Sequence, residues 1–108
     1  MNINLEQTIL RNLLTNEEYT RRVLPFLAPD YFEGVYKDLF KEVAKFVSKF
    51  NKIPTLESFK IEVDEGNRLS EDNYRQAIEM LPNIFTAEPE NLDWLIERTE
   101  KWCQDRSV

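Results

Sequence analysis

The sequence predicts an all-α fold, a compact bundle of about six helices forming one domain over residues 1–108. Gly and Pro are scarce, with 2 and 5 residues, so turns must be few. Apolar residues recur at intervals of three and four along several segments, which is typical of amphipathic helices. Strand-like alternation of apolar and polar residues is absent from the sequence. A chain of 108 residues fits one domain with one hydrophobic core.

Two short helices are predicted at the start of the chain. Apolar residues line one face of residues 5–14, with Asn4 as the N-cap. Asn16 precedes two glutamates and caps a second helix, which should end just before Pro25. Phe26 and Leu27 are expected to dock the corner that follows.

The longest periodic run predicts a central helix from Tyr31 to Phe50, preceded by Asp30 as a cap and ending at Asn51. Its apolar residues fall on one broad stripe at about 100° per residue. The stripe consists of Phe32, Val35, Leu39, Phe40, Val43, Phe46, Val47 and Phe50.

Two further helices are predicted from their cap residues. Thr55 is a strong N-cap for a fourth helix, and Gly66 is expected to supply a left-handed C-terminal stop. Ser70, followed by two acidic residues, opens a fifth helix, which Pro82 is expected to end.

Residues 82–89 have no clear local preference and are predicted to form a structured loop. A sixth helix should begin near Glu90 and reach the end of the chain, because no Gly or Pro follows it. This pattern suggests a piece of a longer protein. The apolar side of the sixth helix contains Leu92, Leu95, Ile96, Thr99, Trp102 and Cys103.

Charge and composition limit the possible partners and compartment. Lys and Arg total 14 against 20 Asp and Glu, so the net charge of −6 disfavours a nucleic-acid backbone on average. One cysteine cannot form an internal disulfide. The chain has neither an apolar run of about 18 residues nor a signal-peptide pattern at its start. We therefore expect a cytoplasmic protein with no membrane segment.

Side chains suited to catalysis are missing from the sequence. Histidine is absent, which removes the commonest general base and the commonest metal ligand. Gly34 and Gly66 are far apart and neither begins a phosphate-binding loop. Cys103 follows Trp102 on an apolar helix side, a setting that should raise the thiol pKa. The sequence therefore predicts no catalytic, cofactor-binding or metal-binding residue.

A row of basic residues marks the polar side of the central helix. It consists of Lys37, Lys41, Lys45 and Lys49. Such a row is typical of a ridge that contacts DNA, and a free-standing helical DNA-binding regulator is the alternative function. Asp38 and Glu42 each precede a lysine of the row by three residues, so local ion pairs should partly neutralise it. This favours an ordinary solvated face.

Trp94 lies nearly opposite the apolar stripe of the last helix. Tryptophan is enriched where proteins anchor to one another, so this position indicates a protein interface. Packing beneath the Phe85 segment of the same chain is an equally open interpretation. The candidate interface residues are Phe85, Leu92, Trp94, Leu95 and Trp102.

Several short motifs occur in a fixed order along nearly the whole chain. They are Pro29-Asp30-Tyr31-Phe32, Leu39-Phe40 and Ile53-Pro54-Thr55-Leu56, followed in the tail by Asp93 to Lys101 and Asp105-Arg106. This order resembles that of the N-terminal domains of DnaB-type replicative helicases, and the tail is similar to the end of that domain in the T-even bacteriophage branch.

The resemblance implies a helical bundle that ends in a helical hairpin. In that family, copies pair through these hairpins and build a collar on a hexameric ring. It also implies that primase and a helicase loader dock on the collar, while DNA is contacted only indirectly. ATP and Mg²⁺ belong to a separate motor domain, so the resemblance implies no catalytic activity for this chain.

Overall fold

The computed structural model describes residues 5–66, 69–86, 88 and 90–107. The described chain contains six α-helices and two short 3-10 turns, and it contains no strand. The all-α prediction is therefore confirmed. The helices are α1 (Leu5–Thr15), α2 (Glu17–Val23), α3 (Val35–Phe50), α4 (Leu56–Gly66), α5 (Glu71–Thr86) and α6 (Leu92–Arg106).

Side-chain caps begin three of the helices as predicted. Asn16, Thr55 and Ser70 each accept a hydrogen bond from the backbone N–H three residues later, at 3.1, 3.1 and 3.2 Å. Each bond satisfies a donor that has no partner inside the helix. The cap predicted at Asn4 lies outside the described residues.

The start of α3 differs from the prediction. Instead of one helix from Tyr31, the chain forms a 3-10 turn that ends at Tyr31, and α3 begins at Val35. Gly34 adopts φ 59° and ψ −134°, a conformation that an α-helix cannot contain and that glycine tolerates. The break lets Phe32 turn into the core, where it is 2% exposed. The predicted end is confirmed, because Asn51 caps the helix at φ 55°.

The left-handed stop predicted at Gly66 is wrong. Gly66 is the last residue of α4, and the positive φ values of the described chain occur at Gly34 and Asn51. A Cβ atom at Gly66 would lie 3.3 Å from Oε1 of the buried Glu42. The glycine therefore leaves space for a side chain of α3.

Pro82 does not end α5, contrary to the prediction of a loop over residues 82–89. The helix continues for four residues to Thr86, although proline lacks the N–H of a regular helical bond. Burial favours this continuation, because Ile84 is 1% exposed and Phe85 is half-buried. Thr86 Oγ1 also donates to the carbonyl oxygen of Pro82 at 2.9 Å. Residues 87 and 89 lie outside the described chain.

The helices enclose one core with α1 near its centre. α1 packs against α2, α3 and α5, while α4 packs against α3 and α5. α6 packs mainly on α2, and its contact with α5, which a helical hairpin would require, is minor within this chain. Among the described helices, none combines the length and hydrophobicity needed to cross a bilayer. The largest fully buried side chains include Tyr19, Phe32, Phe59, Ile9, Leu10, Leu13 and Leu14.

Candidate protein-binding surfaces

A buried polar pair joins α6 to α2. The hydroxyl groups of Tyr19 and Thr99 are hydrogen bonded at 2.6 Å, and the two residues are 0% and 1% exposed. Burial holds the pKa of Tyr19 well above its ordinary value, and the bond to Thr99 opposes this shift only in part. A buried bond of this kind fixes how α6 is rotated about its axis, and so decides which of its side chains face solvent.

The C-terminal end of α6 is held by an aromatic cluster. Trp102 is 7% exposed, and its ring centre lies 5.0 Å from that of Phe32 and 6.0 Å from that of Tyr31. Arg106 places its guanidinium 5.1 Å from the centre of the Trp102 ring and donates to the carbonyl oxygen of Tyr31 at 3.2 Å. These contacts attach the end of α6 to the corner before α3.

The N-terminal end of α6 is attached to α1. Arg11 and Glu90 form a salt bridge of 2.8 Å, and Glu90 lies two residues before the helix begins at Leu92. Asn91 is the N-cap and accepts a hydrogen bond from the N–H of Trp94 at 3.0 Å. The predicted start near Glu90 is therefore displaced by two residues. Both ends of α6 are thus fixed on the body of the domain.

Trp94 lies on the outer side of α6 and is 48% exposed. The segment that contains Phe85 is part of α5, and Trp94 makes no ring–ring contact with a described aromatic residue. Helical spacing places Glu97, Arg98 and Lys101 beside the tryptophan. We call these four residues the Trp94 face.

A shallow concavity of about 370 Å³ adjoins the Trp94 face. It is lined by Glu97, Arg98, Glu100, Lys101 and Gln104. Charges of both signs therefore surround one exposed aromatic ring. This arrangement, an aromatic anchor with a polar rim, is typical of protein interfaces.

The other candidate interface residues occupy different positions. Leu95 is 0% and Trp102 is 7% exposed, so the domain itself covers both. Phe85 on α5 and Leu92 on α6 are half-buried. The five candidate residues therefore do not form one exposed surface, and Trp94 is the most exposed of them. An interface role for the set stays a prediction.

A second surface, missed by the sequence reasoning, is a groove of about 430 Å³ between α2 and α6. Phe26 forms its lip and is 72% exposed, so the predicted docking of this corner is wrong for Phe26. Leu27, the other residue expected to dock the corner, packs against the core. The 3-10 turn that contains Pro25 carries the phenylalanine outward. Because this exposure depends on a short turn rather than on helical period, the sequence carries no signal for it. The groove is lined by Arg22, Val23, Phe26, Tyr31, Ile96, Thr99, Glu100, Cys103, Gln104 and Ser107.

Cys103 lines this groove and is partly buried. Burial raises the pKa of its thiol above the ordinary value, and the nearby charge of Glu100 adds to the shift. The predicted direction of the shift is confirmed. Since the thiolate is the reactive form, this cysteine is a poor nucleophile at neutral pH.

The ion pairs predicted within the lysine-bearing side of α3 do not form. Asp38 instead accepts a hydrogen bond from Asn73 Nδ2 on α5 at 2.9 Å. Glu42 is 2% exposed and lies on the buried side of the helix. Tertiary packing therefore turns Asp38 toward α5, while Glu42, although buried, lines one notch with Lys45 and Lys49.

Three of the four predicted lysines remain as a basic surface. Lys37 is paired with Asp30 at 3.2 Å. Lys41, Lys45 and Lys49 are exposed and form no ion pair with any residue that the structure describes. We call these three residues the lysine row.

An aromatic pair lies beside the lysine row at the end of α3. The ring centres of Phe46 and Phe50 are 4.7 Å apart, and Phe50 is 49% exposed rather than buried as its place on the predicted stripe implied. The Nζ atom of Lys49 lies 5.3 Å from the centre of the Phe50 ring. A notch of about 40 Å³ is lined by this pair together with Lys45, Lys49, Glu42 and, from α4, Glu62. We call Phe46 and Phe50 the phenylalanine pair.

Residues 5–66, 69–86, 88 and 90–107 contain no group of three or more His, Cys, Asp or Glu side chains capable of holding a metal ion. The surfaces just described carry aromatic, aliphatic and charged groups suited to contacts with other macromolecules. Their chemistry is that of recognition.

Comparison with known proteins gives one informative similarity. The chain is 27% identical over 103 residues to a DnaB-like replicative helicase of Enterobacteria phage T4. The aligned region is 94% of this chain but 21% of that protein, so the chain spans about a fifth of the length of its relative. No family model matches the chain. The chain is therefore similar to one part of a DnaB-like replicative helicase.

Proposed function

We propose that this chain is the N-terminal collar domain of a hexameric replicative DNA helicase. In this role it mediates subunit assembly and provides a docking platform for primase or a helicase loader, while DNA is contacted only indirectly. The observation that carries the proposal is an alignment over 94% of the chain with 21% of a replicative helicase. An all-helical domain of this size, carrying exposed aromatic surfaces, fits such an accessory region.

The proposal divides the work of the full protein between two parts. ATP and Mg²⁺ are assigned to a separate motor domain with its own phosphate-binding loop, and the present chain contributes recognition rather than chemistry. Support comes from the side chains at the surfaces described above. Trp94 and Phe26 are large apolar groups exposed at 48% and 72%, whereas Cys103 is held as a thiol. Exposed apolar groups beside charged rims favour protein contacts.

The Trp94 face is the surface that we assign to subunit assembly. The tryptophan lies near the N-terminal end of α6, where the cap at Asn91 and the Arg11–Glu90 salt bridge hold the helix in place. An anchor that is already ordered loses little side-chain entropy on binding. Charges of both signs around it allow the same surface of a second copy to pair with it in a two-fold arrangement.

The coding sequence beyond residue 108 tests the division into collar and motor. We expect an in-frame linker followed by a Gly-rich loop that ends in Gly-Lys-Thr or Gly-Lys-Ser, the pattern that cradles nucleotide phosphates. A stop codon directly after this point in the native gene would contradict the proposal. An open reading frame that continues without a phosphate-binding loop would contradict it equally.

A further inference from the structure

We propose that the lysine row and the phenylalanine pair of α3 together form a docking surface for an acidic amphipathic helix of a partner protein. The inference rests on the docking role proposed above and assigns to it a surface and a partner chemistry. The surface consists of Lys41, Lys45, Phe46, Lys49 and Phe50. None of these residues belongs to the Trp94 face, so docking and subunit assembly use separate surfaces.

Charge complementarity is the first argument for this occupant. The chain carries a net charge of −6, yet three exposed cations without ion-pair partners in the described chain stand on successive turns of one helix. Lysines four residues apart are separated by about 6 Å along the axis, so the row spans about 12 Å. Carboxylates on a second helix repeat with the same spacing and can pair with all three lysines. The acidic remainder of the surface repels such a partner elsewhere and directs it to the row.

The phenylalanine pair gives the second argument. Phe50 is one of four large apolar side chains that the described chain exposes, and it leans on Phe46 with ring centres 4.7 Å apart. Both rings stand beside the lysine row along the same helix. A partner that covers the whole surface must therefore present an apolar strip next to an acidic strip. An amphipathic helix meets this requirement, since residues four apart share a face.

Glu62 limits where the partner can lie. From α4 it lines the same notch as Lys45, Lys49 and the phenylalanine pair. Because this carboxylate repels acidic side chains, the acidic strip of the partner is favoured over the exposed lysine row of α3 rather than over α4.

Single-stranded nucleic acid is the competing occupant, because phosphates bind lysine and bases stack on aromatic rings. Two observations disfavour it. The row offers three cations and the rest of the chain carries net negative charge. A strand longer than the row, about 12 Å, must cross that acidic surface. Two turns of a helix, about 11 Å long, match the length of the row. The observations therefore favour a protein partner.

Binding of designed probes to the 108-residue chain tests the proposal. The first probe is a fluorescent peptide of about 15 residues, roughly four helical turns, with leucines on one strip and glutamates on the adjacent strip. The second has the same composition in scrambled order, and the third is an oligothymidine of similar length. Fluorescence anisotropy at low and high salt measures the affinities. We expect the patterned peptide to bind at least about tenfold more tightly than either other probe, which is about 1.4 kcal/mol.

Variants of the protein locate the binding. Lys45→Glu should weaken binding of the patterned peptide about tenfold, whereas Arg75→Glu, an equal change of charge at an exposed residue on α5, should leave it unchanged. Phe50→Ala should weaken it about tenfold, whereas Ile61→Ala, at an exposed apolar residue of α4, should have little effect. Circular dichroism should give the same helix content for all four variants.

Three outcomes would overturn the proposal. Equal affinities for the patterned and scrambled peptides would show that the surface binds acidic peptides by unspecific charge attraction only. Tighter binding of oligothymidine, lost on Lys45→Glu, would assign it to nucleic acid. Undiminished peptide binding by both Lys45→Glu and Phe50→Ala would place the site elsewhere. These results concern the α3 surface alone, so the collar proposal, tested by the downstream coding sequence and by self-association, fails or holds separately.

Discussion

Two tryptophans of α6, eight positions apart, lie in different environments. Trp102 is 7% exposed and contacts Phe32 and Tyr31, whereas Trp94 is 48% exposed. The side chain and the helix are the same, so the difference comes from what the rest of the chain places against each turn. The corner before α3 covers the C-terminal end of α6, and no described aromatic ring covers Trp94. The comparison separates a residue that holds the fold together from one that is available to a partner.

Loss of the Trp102 side chain should have the largest effect on the unfolding free energy, and it tests the comparison of the two tryptophans. Trp102→Ala removes the ring that joins α6 to Phe32 and Tyr31. Deleting a buried aromatic side chain costs about 3–5 kcal/mol of unfolding free energy, because contacts are lost and a cavity remains. Urea unfolding followed by circular dichroism measures the change. A loss below about 1 kcal/mol would mean that Trp102 is not the anchor described here.

A smaller effect is expected at the polar link between α2 and α6. Tyr19→Phe removes the 2.6 Å hydrogen bond to Thr99 and leaves a buried hydroxyl without that partner. The expected cost is about 1–2 kcal/mol at neutral pH. Replacement of both residues, Tyr19→Phe with Thr99→Val, should recover part of the loss, and no recovery would argue against a direct link.

The same variant changes the response to alkaline pH. Burial keeps the pKa of Tyr19 above its ordinary value of 10.0 in the folded chain. The stability that the neutral Tyr19 phenol contributes is therefore fully present at pH values below the pKa of this residue in the unfolded chain. It is lost as the pH rises above that value, because the unfolded chain releases this proton first. We expect the unfolding free energy to fall more steeply above pH 10 in the parent protein than in Tyr19→Phe. Equal slopes would show that the phenol is not held in its neutral form.

Arg106 covers Trp102 from the solvent side, and its removal should have a modest effect. Arg106→Ala loses the stacking at 5.1 Å and the hydrogen bond to Tyr31. Because the residue is exposed, the expected cost is about 0.5–1 kcal/mol. Arg106→Lys keeps the charge but not the planar donor, so it should recover less than half of that loss. If Arg106→Lys recovered the full stability, the contact would depend on the positive charge alone.

Trp94→Ala should have the smallest effect on stability. The side chain is 48% exposed, and substitutions at such positions usually change the unfolding free energy by less than about 0.5 kcal/mol. The measurement is the same urea series used for Trp102→Ala. A loss comparable to that of Trp102→Ala would break the comparison, since it would make Trp94 part of the core.

Local chemistry explains which parts of the fold the sequence predicts. Asn16, Thr55 and Ser70 cap helices as expected, because a cap depends on one side chain and the next few backbone groups. The continuation of α5 through Pro82 is not predictable in this way. It depends on burying Ile84 against residues distant in the sequence, and that tertiary gain outweighs the local cost of proline.

The sequence likewise predicts some of the exposed side chains and misses others. The outward position of Trp94 follows from the helical period, which fixes the face of a residue once the helix exists. The exposure of Phe26 and Phe50 does not follow, because both positions depend on where neighbouring elements end. Glu42 was expected to neutralise a lysine and is buried instead, since its face of α3 turns toward the rest of the domain. The helical period predicts which way a side chain points, and tertiary packing decides whether another part of the chain covers it.

We propose that copies of this helical domain join through the Trp94 face. Sedimentation equilibrium over a wide concentration range tests it most directly. We predict that the apparent mass of the parent chain rises above 12.9 kDa with concentration and that Trp94→Ala stays near that value. Ile61→Ala, which alters an apolar residue of the same 48% exposure on α4, should behave like the parent. Identical mass curves for the parent chain and Trp94→Ala would contradict the claim.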